Sequence, residues 1–290
     1  MPEGDTLYRT ARTLQLGLAG QRVTRFRSAY PRLNRVNEDS PLAGRTIERV
    51  ESKGKWLLIH FSGDLILLTH MLMSGSWHIY RPSEKWQRPT GQMRIAIETE
   101  KLHAVGFLVP VAEFHSSGSL LRRDGFRTLG PRLLDVDLDE PEAARRLLSG
   151  PDLEVGVALM TQSLLSGIGN AYKSEVCFAC KVNPFRLVAS LTESEAAGLI
   201  STARRFMRAN VSETSGDRII TYSGMRRTTG RSDPAARLWV YRRRLEPCRK
   251  CETPIESRKQ GTDARTSFWC PQCQPMIGVR TSARELQLKI

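Results

Sequence analysis

The spacing of apolar positions along this chain changes twice, from intervals of three and four to short alternating runs and back, and these changes divide it before any chemistry is considered. Leu7, Ala11, Leu14 and Leu18 recur at three and four, which predicts a helix over residues 6–18 with Gly20 just beyond its end. Between Val23 and Val111 the pattern becomes short β-branched and apolar runs separated by Gly, Pro, Ser and Asp. Strands are expected at 56–61, 65–69, 77–80, 94–99 and 105–109, with Ser62-Gly63-Asp64 as a tight hairpin turn. Many short strands at this spacing imply a β-sandwich.

Helical spacing returns after Glu140. Residues 126–140, with Gly130-Pro131, several Asp and little periodicity, read as a linker. Helices are expected at 141–148, 157–164, 171–180 and 193–211, and Thr192 followed by Glu195 is a capping-box pattern ahead of the last. Ser166-Gly167-Ile168-Gly169-Asn170 interrupts the series and exposes backbone amides at a helix start, where a phosphate can bind whatever the base. The expected fold is therefore α+β and multidomain. Residues 1–125 form a β-sandwich with an N-terminal helix, 126–140 a linker, 141–236 an all-α domain, 237–275 a four-cysteine hairpin, and 276–290 a basic tail.

Charge changes the picture more than composition does. A 40% hydrophobic content over 290 residues suits a chain with two or three cores. The 44 Lys and Arg against 30 Asp and Glu leave a formal +14, which points to a polyanionic partner. Arg218, Arg226, Arg227, Arg231, Arg237, Arg242, Arg243 and Arg244, interleaved with Tyr222, Trp239 and Tyr241, concentrate that charge. A solvated face is the ordinary reading of such a stretch, and contact with a nucleic-acid backbone the functional one. No run of about 18 apolar residues and no basic-then-apolar leader is present, so no membrane partner is expected and the location expected is cytoplasmic. Six cysteines in a reducing compartment are expected to be metal ligands or core thiols.

Their spacing separates the two kinds. Cys248-x2-Cys251, eighteen residues, then Cys270-x2-Cys273 supplies four thiolates in the pattern of a tetrahedral structural zinc site, with Arg265 near the tip or second strand of the intervening hairpin. Four protein ligands close such a site, so zinc is not the catalyst. Cys177-x2-Cys180 lies in an apolar helical segment without a second pair and reads as core, with a redox pair as the alternative. Lys53-Gly54-Lys55 places a lysine at a sandwich rim, where a solvated side chain is the ordinary reading. Met71-Leu72-Met73-Ser74-Gly75 reads as strand core, or as a loop tip able to wedge between bases. Removal of Met1 ahead of the small Pro2 would leave a secondary amine, which titrates near pH 7.7 to 8 and can attack an electrophilic carbon, with Glu3 beside it as a proton donor or acceptor. The ordinary alternative is that Pro2 merely starts a helix.

Taken together, Pro2-Glu3-Gly4, the run Gln162-Ser163-Leu164-Leu165-Ser166-Gly167-Ile168-Gly169-Asn170-Ala171-Tyr172-Lys173-Ser174-Glu175, and the hairpin ending in Cys270-Pro271-Gln272-Cys273-Gln274 resemble the formamidopyrimidine-DNA glycosylase and endonuclease VIII family. The resemblance covers nearly the whole chain, and Gly4-Asp5-Thr6 looks closer to endonuclease VIII. It implies a β-sandwich, a helix-two-turn-helix domain and a zinc finger, with DNA in the cleft between the halves. It further implies that Pro2 attacks C1′ of a damaged nucleotide, that Glu3 shuttles protons, and that Lys55 assists elimination through the phosphate. Asn170 and Arg265 would hold phosphates beside the lesion, while Leu72, Met73 and Ser74 would fill the gap left by a flipped nucleotide. An arginine that endonuclease VIII carries just before a Gly-Pro pair is replaced by Thr128 ahead of Gly130-Pro131, which leaves Arg127 as a stand-in. The implied activity is a monomeric DNA glycosylase and AP lyase with one structural zinc ion. Its partner is double-stranded DNA with oxidised bases, pyrimidines favoured, or abasic sites, cut by Schiff-base chemistry with β,δ-elimination. A preference for 8-oxoguanine or formamidopyrimidine is the alternative within that class, and a zinc-finger protein that recognises damaged DNA without cutting it the alternative outside it.

Overall fold

The computed structural model describes residues 2–212, 228–229 and 236–276. It opens with α1 (Gly4–Leu18), whose buried stripe is Leu7, Ala11, Leu14 and Leu18, the four positions that predict it. Eight strands follow: β1 (Val23–Ser28), β2 (Ile47–Lys53), β3 (Trp56–Phe61), β4 (Leu65–His70), β5 (Ser76–Tyr80), β6 (Met93–Thr99), β7 (His103–Phe107) and β8 (Val111–His115). They form two four-stranded antiparallel sheets, ordered β1-β6-β7-β5 and β2-β3-β4-β8. Leu57, Ile59 and Phe61 of one sheet meet Trp77, Ile95 and Ile97 of the other in a single core, which the apolar face of α1 completes. This is the expected sandwich. The β3–β4 hairpin turns at Gly63 and Asp64, both with positive φ (79° and 53°), as Ser62-Gly63-Asp64 predicts.

A second core lies in a helical body built from α4 (Glu140–Leu148), α5 (Val155–Met160), α6 (Asn170–Ala179) and α7 (Glu193–Ser212). Thr192 and Glu195 exchange the two bonds of a capping box at the start of α7, at 2.9 and 3.1 Å. Cys177 is fully buried in that core, and burial pushes its thiol up to about 12, so it is inert packing as expected. The third unit is the hairpin β9 (Glu256–Gln260) and β10 (Arg265–Trp269), whose small core joins Phe178 of α6 to Val240, Cys248, Ile255 and Cys270. α1 also packs against α7, so the first helix belongs to both bodies.

Some elements depart from the expected ones. β1 and β2 each contain a bulge, between Val23 and Arg25 and between Ile47 and Arg49, so their inward residues fall three apart instead of two and the alternation is lost. β7 ends at Phe107, short of Val109, because Leu108 turns to φ 49° and leaves the ladder. β8, α2 (Pro31–Asp39) and α3 (Ser117–Arg122) carry little apolar signal; α2 buries only Leu33 and α3 only Leu120. α5 stops at Met160, short of residue 164, where Thr161 turns away and its hydroxyl donates to the Val157 carbonyl at 3.0 Å. The stretch read as a linker carries buried side chains: Phe126 packs with Leu58 and Leu68 under the sandwich, and Leu133 enters the helical core. Arg218, Tyr222, Arg226, Arg227 and Arg231 of the basic stretch, the tail beyond Met276, and Met1 lie outside the described residues.

Candidate active site at the junction of the two bodies

Pro2 and Glu3 are buried where the sandwich, the helical body and the hairpin meet. The Glu3 carboxylate, with no exposed surface, accepts from the backbone amides of Ala171 at 2.9 Å and Tyr172 at 3.3 Å. These are orphan amides of the first turn of α6, where the helix dipole also favours a negative charge. The next amide, Gly4, donates to the Gly167 carbonyl at 2.8 Å. Two glycines make this approach possible. A Cβ on Gly169 would lie 2.4 Å from the Glu3 Cδ, and one on Gly4 would lie 2.9 Å from the Gly167 backbone. The Gly-Ile-Gly-Asn turn that the sequence offers to a phosphate is therefore occupied, at its helix start, by the chain's own carboxylate. Asp5, also fully buried, accepts from the Tyr172 hydroxyl at 3.0 Å and thereby ties α1 to α6 a second time.

Lys55, half-buried in the turn between β2 and β3, is brought into this group. Burial pulls its amine below the ordinary lysine range, opposed by the Glu3 carboxylate and furthered by Arg265. Arg265 is exposed at the start of β10. Asn170, the first residue of α6, does something the sequence does not indicate. Its Nδ2 donates to the Thr266 carbonyl at 2.9 Å, and its buried Oδ1 has no partner among the described residues. Asn170 thus fixes β10, and with it Arg265, beside the Glu3 turn; a second tie runs from the Phe268 amide to the Ser174 hydroxyl at 3.3 Å.

Leu72, Met73 and Ser74 form an exposed tip after β4, with Leu72 and Met73 47% and 58% exposed, while Met71 ahead of them is buried in the sandwich core. Leu72 sits at φ 42°, a left-handed conformation that a leucine adopts at a cost of about 1 kcal/mol or more. His70 holds the base of the tip: its Nδ1 accepts from the Leu72 amide at 3.0 Å and its ring stands edge-on to Trp56 at 4.8 Å. Burial first, then Lys55 and Arg123, lower this imidazole to about 4, so it stays neutral and keeps that acceptor. Arg127 is exposed in the turn after α3 and forms no side-chain hydrogen bond or ion pair among the described residues.

Cys248, Cys251, Cys270 and Cys273 bring four sulfurs within 4.8 Å of one another, with pairs at 3.4 to 3.9 Å. Four thiolates about 2.3 Å from one zinc ion would stand about 3.8 Å apart, so the set fits a metal of that kind. The amides of Lys250 and Cys273 point at Cys248 and Cys270, both at 3.4 Å, as they would at a thiolate knuckle.

Two further contributors lie inside the Gln162–Glu175 run that carries the resemblance, but their roles are not readable from it. Gln162 Oε1 accepts from the Gly167 amide at 3.0 Å while its Nε2 donates to the Ile168 carbonyl at 3.1 Å, which shapes the turn that meets Gly4. Glu175, fully buried, accepts from the amides of Trp239, Val240 and Tyr241 at 2.8 to 2.9 Å and from the Thr228 hydroxyl. Lys250 then lies over Phe178 and Trp239 at 5.1 and 5.4 Å. Glu175 could have been suspected only as a carboxylate on a helix with no cationic neighbour at i±4.

The chain resembles known proteins over most of its length. The family pattern described as the formamidopyrimidine-DNA glycosylase N-terminal domain matches residues 1–108, and that of the formamidopyrimidine-DNA glycosylase H2TH domain matches 129–221. The chain is 38% identical over 291 residues to the probable endonuclease 8 2 of Streptomyces coelicolor, covering 98% of this chain and 99% of that one. It is 33% identical over 274 residues to the DNA-(apurinic or apyrimidinic site) lyase Nei2 of Mycolicibacterium smegmatis, covering 94% and 99%. Among solved structures, the complex of Lactococcus lactis Fpg with DNA containing an abasic site aligns with TM-score 0.76 at 22% identity, covering 94% of this chain and 99% of that one. A fold of two bodies and a cysteine hairpin closing on the buried Pro2 and Glu3 defines a class, and the relatives place this chain within it. The chain belongs to the formamidopyrimidine-DNA glycosylase family, on its endonuclease VIII side.

Proposed function

We propose that the N-terminal amine of this DNA glycosylase and AP lyase of base excision repair, exposed at Pro2 once Met1 is removed, is the nucleophile that expels an oxidised base, pyrimidines first, from double-stranded DNA. The observation that carries the reading is the Glu3 carboxylate held at 2.9 and 3.3 Å by the first amides of α6. It sets the neighbouring Pro2 at the meeting point of three units, each of which supplies a polar group. The amine attacks C1′, the bond to the base breaks, and the sugar opens to an iminium, with Glu3 carrying the proton from nitrogen to the ring oxygen. The iminium acidifies C2′, and elimination of the 3′ and then the 5′ phosphate nicks the strand. Lys55, with its depressed pKa, and Arg265 hold the phosphates that leave. A base inside a duplex hides C1′, so extrusion precedes attack, and the exposed Leu72 and Met73 are shaped to fill the vacated stack.

Zinc is the metal proposed for the four cysteines, with Cys248, Cys251, Cys270 and Cys273 all serving as ligands and the ion acting as structure alone. No helix among the described residues is long and apolar enough to cross a membrane, and a cytoplasmic monomer is the form proposed. Borohydride trapping tests the chemistry. Protein shown by mass spectrometry to begin at Pro2 should form a covalent complex with a duplex carrying an oxidised pyrimidine, and Pro2→Gly should lose most of it. Equal trapping by the variant would refute the assignment, and a panel of lesion duplexes that favoured 8-oxoguanine would refute the pyrimidine preference.

A further inference from the structure

Lys173 on α6 is 1% exposed, yet its ammonium makes no hydrogen bond or ion pair among the described residues. Other buried charges around it are matched. Arg186 pairs with Glu195 at 2.7 Å, and Glu3 and Glu175 each receive backbone amides. A sealed cation without a partner is costly, so a partner belongs in front of it. What lies there is a cavity of about 330 Å³ between α5, α6 and the β9–β10 turn, lined with Lys173 by Met160, Gln162, Gly261, Asp263 and Arg265. This is the volume of a small-ligand site. Glu3 and Arg265 both act on Lys173, and the same two side chains act on Lys55, so the cavity adjoins the group around Pro2.

Lysine offers only donors, so its ligand must present an acceptor. A backbone phosphate stays outside the protein, where the exposed Arg265 and the half-buried Lys55 can meet it. A side chain sealed this deeply is reached only by a small group inserted into the cavity, and an extruded base is such a group, with carbonyl oxygens on its edge. We infer that Lys173 reads the extruded base, donating to one of its carbonyl oxygens and protonating that oxygen as the base departs. The step rests on the reaction proposed for Pro2. As the Pro2 nitrogen bonds to C1′, the C1′–N bond breaks and its electron pair delocalises through the base onto that oxygen. Lys173 gives its proton there and is reprotonated from water, while the proton shed by Pro2 passes to Glu3.

The surroundings suit a proton donor. Burial brings the Lys173 ammonium down to about 8, opposed by Cys177 of its own helix, by Glu3 and by Glu154 ahead of α5, and furthered by Arg265, with Asp263 facing it from the hairpin turn. Zinc-loaded full-length protein carrying Lys173→Met is compared with wild type on two duplexes, one holding an oxidised pyrimidine and one a pre-formed abasic site. Excision is expected to fall by about a hundredfold and abasic-site cleavage by far less. Equal losses on both duplexes would mark a structural or phosphate-binding role and overturn the proposal, as would unchanged excision. Wild type gives a second readout that does not depend on the variant folding. The ratio of excision to abasic-site cleavage should drop as pH rises through about 8, and a flat ratio overturns the proposal. Borohydride trapping of wild type on the abasic duplex reports on Pro2 alone, so failure of that reading is separable from failure of this one.

Discussion

Glu3 serves the fold and, in the proposed reaction, the proton shuttle as well. Its carboxylate closes the first turn of α6 and pins residue 2 in place, so removing the space it occupies should damage both functions. Gly169→Ala puts a methyl 2.4 Å from the Glu3 Cδ and is expected to break the two amide bonds at a cost of about 2–4 kcal/mol. Chemical denaturation with a cleavage assay checks this: stability and cleavage should fall together while bound zinc stays constant, and wild-type behaviour would refute the packing argument. His70 and His78 supply a pH prediction. Burial is the first cause in both, followed by Lys55 and Arg123 for His70 and Arg88 for His78, and each is lowered to about 4. The unfolded chain therefore binds these protons first, and stability is expected to hold above about pH 6.5 and to fall from there toward pH 4. Urea midpoints across that window measure it, and His70→Gln should flatten the decline.

Among elements, the β9–β10 hairpin depends most on something outside its own sequence. Too short to hold a core, it has the four-cysteine cluster at its base and the Asn170 bond to Thr266 on its flank. Chelation, or Cys270→Ser, is expected to release Arg265 and abolish cleavage while leaving the sandwich folded; metal analysis alongside circular dichroism and nicking assays tests this. Glu175 joins that hairpin to the helical body from the other side. Glu175→Ala would strand three backbone amides and is expected to cost at least about 3 kcal/mol, read as an early unfolding transition or lost zinc affinity. Legibility of the elements followed their periodicity. α1 was readable from its stripe and α7 from its capping box, both of which are local, whereas β1 and β2 were not, because a bulge moves Val23 and Phe26, or Ile47 and Val50, to a spacing of three. α3 and β8 owe their place to packing against other elements, which no local pattern reports.

At the scale of the whole molecule, the formal charge of +14 should make DNA affinity strongly salt-dependent. Arg265→Ala is expected to reduce the slope of log affinity against log salt by about 1, uniformly across DNA sequences, if its contact is a phosphate. Binding titrations over a salt series would show it, and an unchanged slope would remove Arg265 from the phosphate contacts.

By itself the sequence determined the sandwich and the helical body, the four-cysteine cluster, and Pro2 and Glu3 as the residues to examine, because each rests on local spacing or on residue chemistry that travels with the chain. Only the tertiary structure decided that Glu3 closes α6, that Asn170 holds β10 through Thr266, that Glu175 carries the amides of 239–241, and that Lys173 faces a cavity with no partner among the described residues. Glu3 and Ala171 are 168 residues apart, and Asn170 and Thr266 are 96 apart. Contacts across such distances arise from how whole units pack, and the group proposed to react at Pro2 is assembled only where the units meet.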